Sequence, residues 1–159
     1  MPHAAITTDI IVGFPGETDE DFKATLQLLE RVRYQSIFSF KYSERPGTRA
    51  QEMDDDVSEP VKRARLEQVQ SLQRRITEEV MATYEGTMVE VLFEGPSRAT
   101  GRGEPGTWQI MGRTRSNLIV NVPIPSGDFW AQRWIGQTAH VRIETVKAHS
   151  LYGSLEGVS

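Results

Sequence analysis

The sequence contains no cysteine among its 159 residues. That absence removes a disulfide framework, a thiolate zinc site and a cysteine-held iron–sulfur cluster from this chain. No apolar run approaches the roughly 20 residues a helix needs to cross a bilayer. The opening Met1-Pro2-His3-Ala4-Ala5 has neither the basic start nor the apolar stretch of a secretory signal. A soluble, cytoplasmic protein is expected. Excess positive charge is missing too: a net charge of −4 argues against binding polyanions by bulk charge. His3, His140 and His149 show no metal-ligand spacing, so no metal site is expected. What is present, 38% hydrophobic and 25% charged residues, suits one domain or two small ones.

The charge is unevenly placed. Residues 1–85 hold 11 Lys+Arg against 16 Asp+Glu, whereas residues 86–159 hold 7 against 6. The first half alternates strand and helix. Ile10-Ile11-Val12, ended by Gly13, reads as a strand buried on both faces of a parallel sheet. After Gly13-Phe14-Pro15-Gly16, Thr18 and Asp21 make an N-cap pair, and Phe22, Leu26, Leu29 and Val32 recur at helical spacing. A second strand, Ile37 to Tyr42, closes at Ser43-Glu44-Arg45-Pro46-Gly47-Thr48. Two such strands do not make a sheet that buries both faces, so this half reads as a piece of something larger.

Acidic Asp54-Asp55-Asp56 leads to Ser58 and Pro60, a helix-start signal, and to a long helix reaching about Tyr84 with the stripe Leu66, Val69, Leu72, Ile76 and Val80. Lys62, Arg63, Arg65, Arg74 and Arg75 read as a solvated face in preference to an RNA contact. After Gly86 the period becomes two. Val89, Val91 and Phe93, then 108–111, 118–122 and Ala139, Val141 and Ile143 form strands, with 152–155 as a fifth, separated by Gly- and Pro-bearing turns. Several short strands in about 70 residues suit a small closed or nearly closed barrel of the oligonucleotide-binding kind.

The loop Gly13 to Thr18 stands between a strand end and a helix start, where α/β folds bind nucleotides. It lacks the Gly-Lys-Ser/Thr of a phosphate loop and the dinucleotide fingerprint. A tight turn remains, letting backbone approach a ligand with Phe14 against a ring and Glu17 accepting from hydroxyls, or serving structure alone. In the second half, Arg113, Arg115, Asn117, Arg142 and His149 supply donors to phosphate beside Tyr152. Each is singly more expected as surface, and their concentration near two segments raises the group. Trp108, Trp130 and Trp134 read as barrel packing or loop anchors.

The run from Thr8 to Phe22, with Phe38 to Thr48, resembles the fifth and sixth strands of the radical S-adenosylmethionine barrel in methylthiotransferases, and Arg45-Pro46 resembles the tRNA-modifying branch. The helix with Leu66, Gln68, Leu72 and Gln73 is similar to that family's as well. From Thr87 the chain resembles a TRAM domain, in Gly112 to Asn121 and His149-Ser150-Leu151-Tyr152-Gly153, and Asn117 with Asn121 resembles the MiaB type, the tRNA 2-methylthio-N(6)-dimethylallyladenosine synthases.

The resemblance implies a strand–helix–strand–long helix remnant of a partial TIM-type radical S-adenosylmethionine barrel (1–56), a connecting helix (57–85) and an OB-like, RNA-binding TRAM barrel (86–159). It implies a transferase that places a methylthio group on carbon 2 of N(6)-isopentenyladenosine next to the anticodon, using S-adenosylmethionine and two 4Fe-4S clusters. Gly13, Phe14, Pro15, Gly16 and Glu17, with Tyr42 and Ser43, would line the S-adenosylmethionine pocket. The cysteine-free chain alone is expected to be inactive and to bind no cofactor stably, with no catalytic residue of its own; Met1 reads as an engineered or mis-annotated start. Expected partners are the anticodon stem-loop, the N-terminal domains of the same polypeptide and a second copy through the two exposed strands; no membrane is expected. The rival readings are a stand-alone RNA-binding module and a protein-interaction domain.

Overall fold

The computed structural model describes residues 4–97, 108–124 and 132–156. They form two compact units, Ala5–Val80 and the residues from Met81 onward. No helix among the described residues is long and apolar enough to cross a membrane.

In the first unit, β1 (Thr7–Val12) pairs in parallel with β2 (Ser36–Lys41), placing Ile10 opposite Ser39 and Val12 opposite Lys41. Between them runs α1 (Asp19–Val32). Its start is a reciprocal capping box: Thr18 Oγ1 accepts from the Asp21 amide at 3.1 Å, and the Asp21 carboxylate accepts from the Thr18 amide at 3.0 Å. Two of the helix's orphan donors are thereby satisfied. Arg33 ends it in the left-handed conformation, donating its amide to Leu29. After a 3-10 turn at Arg49–Glu52 comes α2 (Glu59–Ala82). Val12, Phe22, Leu29, Val69 and Ile76 form the core, with Ile10, Ile37, Leu66, Leu72 and Val80 packed around them. The stripe expected on α2 is the stripe that is buried.

One expectation is corrected. β1 is parallel but not covered on both faces, because alternation sends Ile10 and Val12 to the helices while Ile11 is 54% exposed. Phe38 (66%) and Phe40 (53%) on β2 share that bare exposure. Both helices pack against the alternate residues of the two strands, so nothing described in this unit covers the others.

The second unit is a closed barrel in the order β3-β4-β5-β7-β6. Its strands are β3 (Met88–Pro96), β4 (Trp108–Thr114), β5 (Ile119–Ile124), β6 (Thr138–Lys147) and β7 (Ser150–Leu155). Neighbours are antiparallel except β5 and β7, which run parallel. Val91, Phe93, Ile110, Val120, Val122, Val141, Ile143 and Leu151 fill the inside, with Met81 among them. Closure requires close strand approach: a Cβ at Gly112 would stand 2.4 Å from the Leu92 carbonyl oxygen. Trp108 and Trp134 pack on this core, and Trp134 meets the Phe93 ring edge-on at 5.8 Å, as loop and barrel anchors should. Trp130 lies outside the described residues.

Candidate functional site

The candidate side chains fall into two groups, one in each unit. In the first, the ends of β1 and β2 meet: the Tyr42 amide donates to the Val12 carbonyl at 2.8 Å, and Phe14 packs edge-on against Tyr42 with centroids 5.2 Å apart. Phe14, Tyr42 and Ser43 line an open cavity of about 1070 Å³ together with Ile11, Phe40 and Lys62. Gly13, Pro15, Gly16 and Glu17 form the loop behind Phe14 and do not line it.

That loop is held by groups the sequence reading placed elsewhere. Glu17 Oε2 accepts from the Gly13 amide at 2.6 Å and from Arg65 at 2.7 Å. Arg65 also reaches Asp19 at 2.8 Å, and its side chain is only 7% exposed. Burial opposes the guanidinium charge, but the hydrogen bonds it donates to Asp19 and Glu17, with their negative charge, outweigh it and raise its pKa. One Glu17 oxygen is therefore committed to the fold. Asp56 accepts from the Gly16 amide at 2.7 Å, and Lys62, 3% exposed, pairs with Asp55 at 2.5 Å with its ammonium 5.3 Å from the Tyr42 ring centre. Gly13 has φ +69, and a Cβ there would lie 2.4 Å from Lys62 Cγ, so only glycine fits. The solvated basic face expected of α2 holds for Arg63, Arg74 and Arg75, whereas Lys62 and Arg65 turn inward to these carboxylates. Their helical positions were readable; their partners, some 7 and 48 residues back, were not.

On the barrel, Arg113 on β4 donates to Asn117 Oδ1 at 3.0 Å and to Glu94 at 3.2 Å. Asn117 sits in the β4–β5 turn at φ +64, a conformation Asn tolerates better than most residues. Arg115 donates twice to Glu90, at 3.0 and 3.4 Å, and this pairing holds the Glu90 carboxyl below its ordinary range. Arg142 pairs with Glu156 at 2.5 Å. Across the sheet, Arg113 lies opposite Leu92 and Arg142 opposite Met88, so both flank β3. His149 is exposed in the β6–β7 turn, and the Lys147 ammonium stands 4.3 Å from the centre of the Tyr152 ring. Asn121 is buried, its Oδ1 accepting from Ser97 Oγ at 2.7 Å. Three residues that the sequence did not single out as site residues, Glu90, Glu94 and Glu156, thus hold these three arginines. Strand alternation marked Glu90 as outward-facing, but not which strand would lie beside it.

Among the described residues no group of His, Asp or Glu is arranged to hold a metal ion. The model of the TRAM domain family matches residues 82–155. The chain is 44% identical over 155 residues to the tRNA-2-methylthio-N(6)-dimethylallyladenosine synthase of Acetivibrio thermocellus, covering 98% of this chain and 30% of that protein. With the protein of the same name from Desulfosudis oleivorans it shares 44% over 162 residues, 99% of this chain and 34% of that one. With that from Bifidobacterium adolescentis it shares 48% over 128 residues, 80% of this chain and 26% of that one. The chain thus spans about a third of the length of the curated relatives it matches, corresponding to their C-terminal part. Residues 82–155, which hold the closed barrel, thus match the TRAM domain family, and the chain as a whole is similar to the C-terminal part of proteins named tRNA-2-methylthio-N(6)-dimethylallyladenosine synthase.

Proposed function

We propose that this chain is the tRNA-docking part of a methylthiotransferase that adds a methylthio group to carbon 2 of N(6)-isopentenyladenosine next to the anticodon. Residues 1–56 are read as the end of a radical S-adenosylmethionine barrel, 57–85 as its connecting helix and 86–159 as the RNA-binding barrel. The observation that carries this is the 44–48% identity to synthases of that name over most of the chain. Arg113, Arg115, Asn117 and Arg142 donate to phosphate, while Tyr152 and His149 offer ring surfaces to bases at the β6–β7 end. Transferase activity and a cytoplasmic setting belong to the whole protein.

The strand ends contribute one wall of an S-adenosylmethionine pocket. The aromatic pair Phe14 and Tyr42 and the Ser43 hydroxyl suit a ligand with a ring and hydroxyls, while the Lys62 ammonium is already paired with Asp55. When bound, S-adenosylmethionine with an iron–sulfur cluster supplies radical chemistry. The chain has no cysteine to hold a cluster, so its own residues only bind and orient. Phe14 and Tyr42, in edge-on contact with each other, would offer an apolar wall to such a ring and exclude water, and the Gly13–Glu17 loop, fixed by Arg65, keeps Phe14 in place. Alone, the chain is expected to be inactive.

Changing Arg113 and Arg115 to Ala in the complete enzyme should abolish most modification while leaving stability intact; unchanged modification and unchanged tRNA affinity would refute the docking role. Binding of the 159-residue chain to an anticodon stem-loop across a salt series should be micromolar and weaken as salt rises. A second reading, a stand-alone RNA-binding module, is favoured by the barrel's own closed core. In-frame cysteine motifs in the upstream coding sequence decide for the enzyme, and their absence for the module.

A further inference from the structure

The RNA-facing arginines are not bare. Arg113, Arg115 and Arg142 are each paired with a glutamate, Glu94, Glu90 and Glu156 respectively. Glu144, on β6, accepts from Ser154 Oγ instead. The arrangement follows the register. Arg113 and Arg142 flank β3 at positions four residues apart, roughly 13 Å along the strand, and Glu90 lies between those positions, opposite His140. An acidic group therefore sits in the middle of the cationic band.

We propose that Glu90, Glu94 and Glu156 are internal competitors for RNA phosphate, which keep the barrel from binding polyanions indiscriminately and make it select a ligand able to displace all three at once. This rests on the reading of the barrel as the RNA-docking surface. The pairs are suited to exchange. Arg115 is 86% exposed and Arg142 and Glu156 about half exposed, and ion pairs in water are held weakly. A phosphate presents the same acceptor geometry to the guanidinium fork as the carboxylate it replaces, so the arginine need not reorganise. With the glutamates in place, a phosphate arriving at one arginine meets a carboxylate beside it. Only an RNA whose fold delivers several phosphates together offsets that repulsion, which is discrimination by built-in penalty. Beyond residue 85 the chain holds 7 basic against 6 acidic residues, and these three pairs are part of that near balance.

The test uses the full chain and its E90Q, E94Q, E156Q and triple variants, with binding to an anticodon stem-loop and to a length-matched poly-U strand measured by fluorescence anisotropy at fixed salt. Thermal unfolding of each variant checks the fold, which these exposed carboxylates do not hold together. Each single change should tighten poly-U binding about 2–5-fold, as expected for loss of one exposed competing charge. The triple change should gain more for poly-U than for the stem-loop, so that the ratio of the two affinities falls. Unchanged or weaker binding by the Glu→Gln variants, while Arg113→Ala still weakens the stem-loop complex, would overturn the competitor role and leave the docking surface standing. If native, triple and Arg113→Ala proteins bind alike, or none binds, the docking surface falls and the competitors with it.

Discussion

The two units of this chain solve the same problem in opposite ways. The barrel from Met81 onward closes its five strands on one another, and an apolar core lies inside. The unit Ala5–Val80 has two strands, both helices packed on the same alternate residues, and Ile11, Phe38 and Phe40 left open to solvent. It also buries charge, in Lys62 and Arg65, whereas no charged side chain is buried among the described residues of the barrel. The difference is instructive. A closed sheet needs no partner, whereas an open one with an apolar face is stable in water only while helices cover one side, and it invites another surface to the other.

The contrast can be broken most sharply at the barrel core. Phe93→Ala should cost the barrel about 3–5 kcal/mol, because Phe93 is 1% exposed and touches Trp134. Tryptophan fluorescence during urea unfolding reads this, since Trp108, Trp130 and Trp134 are all in the second half; a midpoint shift equivalent to less than 1 kcal/mol would contradict it. In the first unit the weak point is ionic. Arg65→Met leaves the nearly buried Glu17 carboxylate without its cation and should cost about 1–3 kcal/mol, read as an earlier loss of helical circular dichroism. An unchanged helix transition would show that the Gly13 amide alone suffices for Glu17.

Association comes next. The native chain should self-associate through Ile11, Phe38 and Phe40, and Phe38→Lys with Phe40→Lys should return it to monomer in light scattering; a monodisperse native monomer refutes this. The smallest effect is acid lability. Asp21, Glu59 and Glu79 are held below the ordinary carboxylate range, by Thr18, Lys41 and Arg33 respectively, and in the barrel Glu90 by Arg115. Their folded pKa values lie below the unfolded ones, so their contribution is fully present above about pH 4 and is lost as pH falls through the folded values. With three such groups against one among the described residues, the helical signal of the first unit should lose stability faster on acidification than the tryptophan signal of the barrel. Asp21→Asn should flatten that dependence. Equal acid slopes in native protein would refute the ordering.

Much of this was legible beforehand for local reasons. The Thr18–Asp21 cap, the α2 stripe and the switch to alternation after Gly86 depend on residues within one or two turns of each other, and each formed as expected. The glycine at 13 was legible as a tight turn. What escaped was pairing at a distance. Helical spacing puts Lys62 and Arg65, four residues before Leu66 and Val69, on the stripe side and Arg63 and Arg74 off it, but the carboxylates they meet belong to loops that only the fold brings in. Likewise Asn121 and Asn117 looked equivalent, yet one is buried against Ser97 and the other shapes an exposed turn.

By itself the sequence determined the absence of any cysteine ligand, the periods of its helices and strands, and the turn chemistry between them, since all of these are properties of residue type and short-range spacing. Only the tertiary structure decided which carboxylate each arginine meets, that Glu17 is tied to Arg65 rather than wholly free for a ligand, and that one face of the first sheet stays bare, because these depend on strand order and helix packing between residues tens of positions apart.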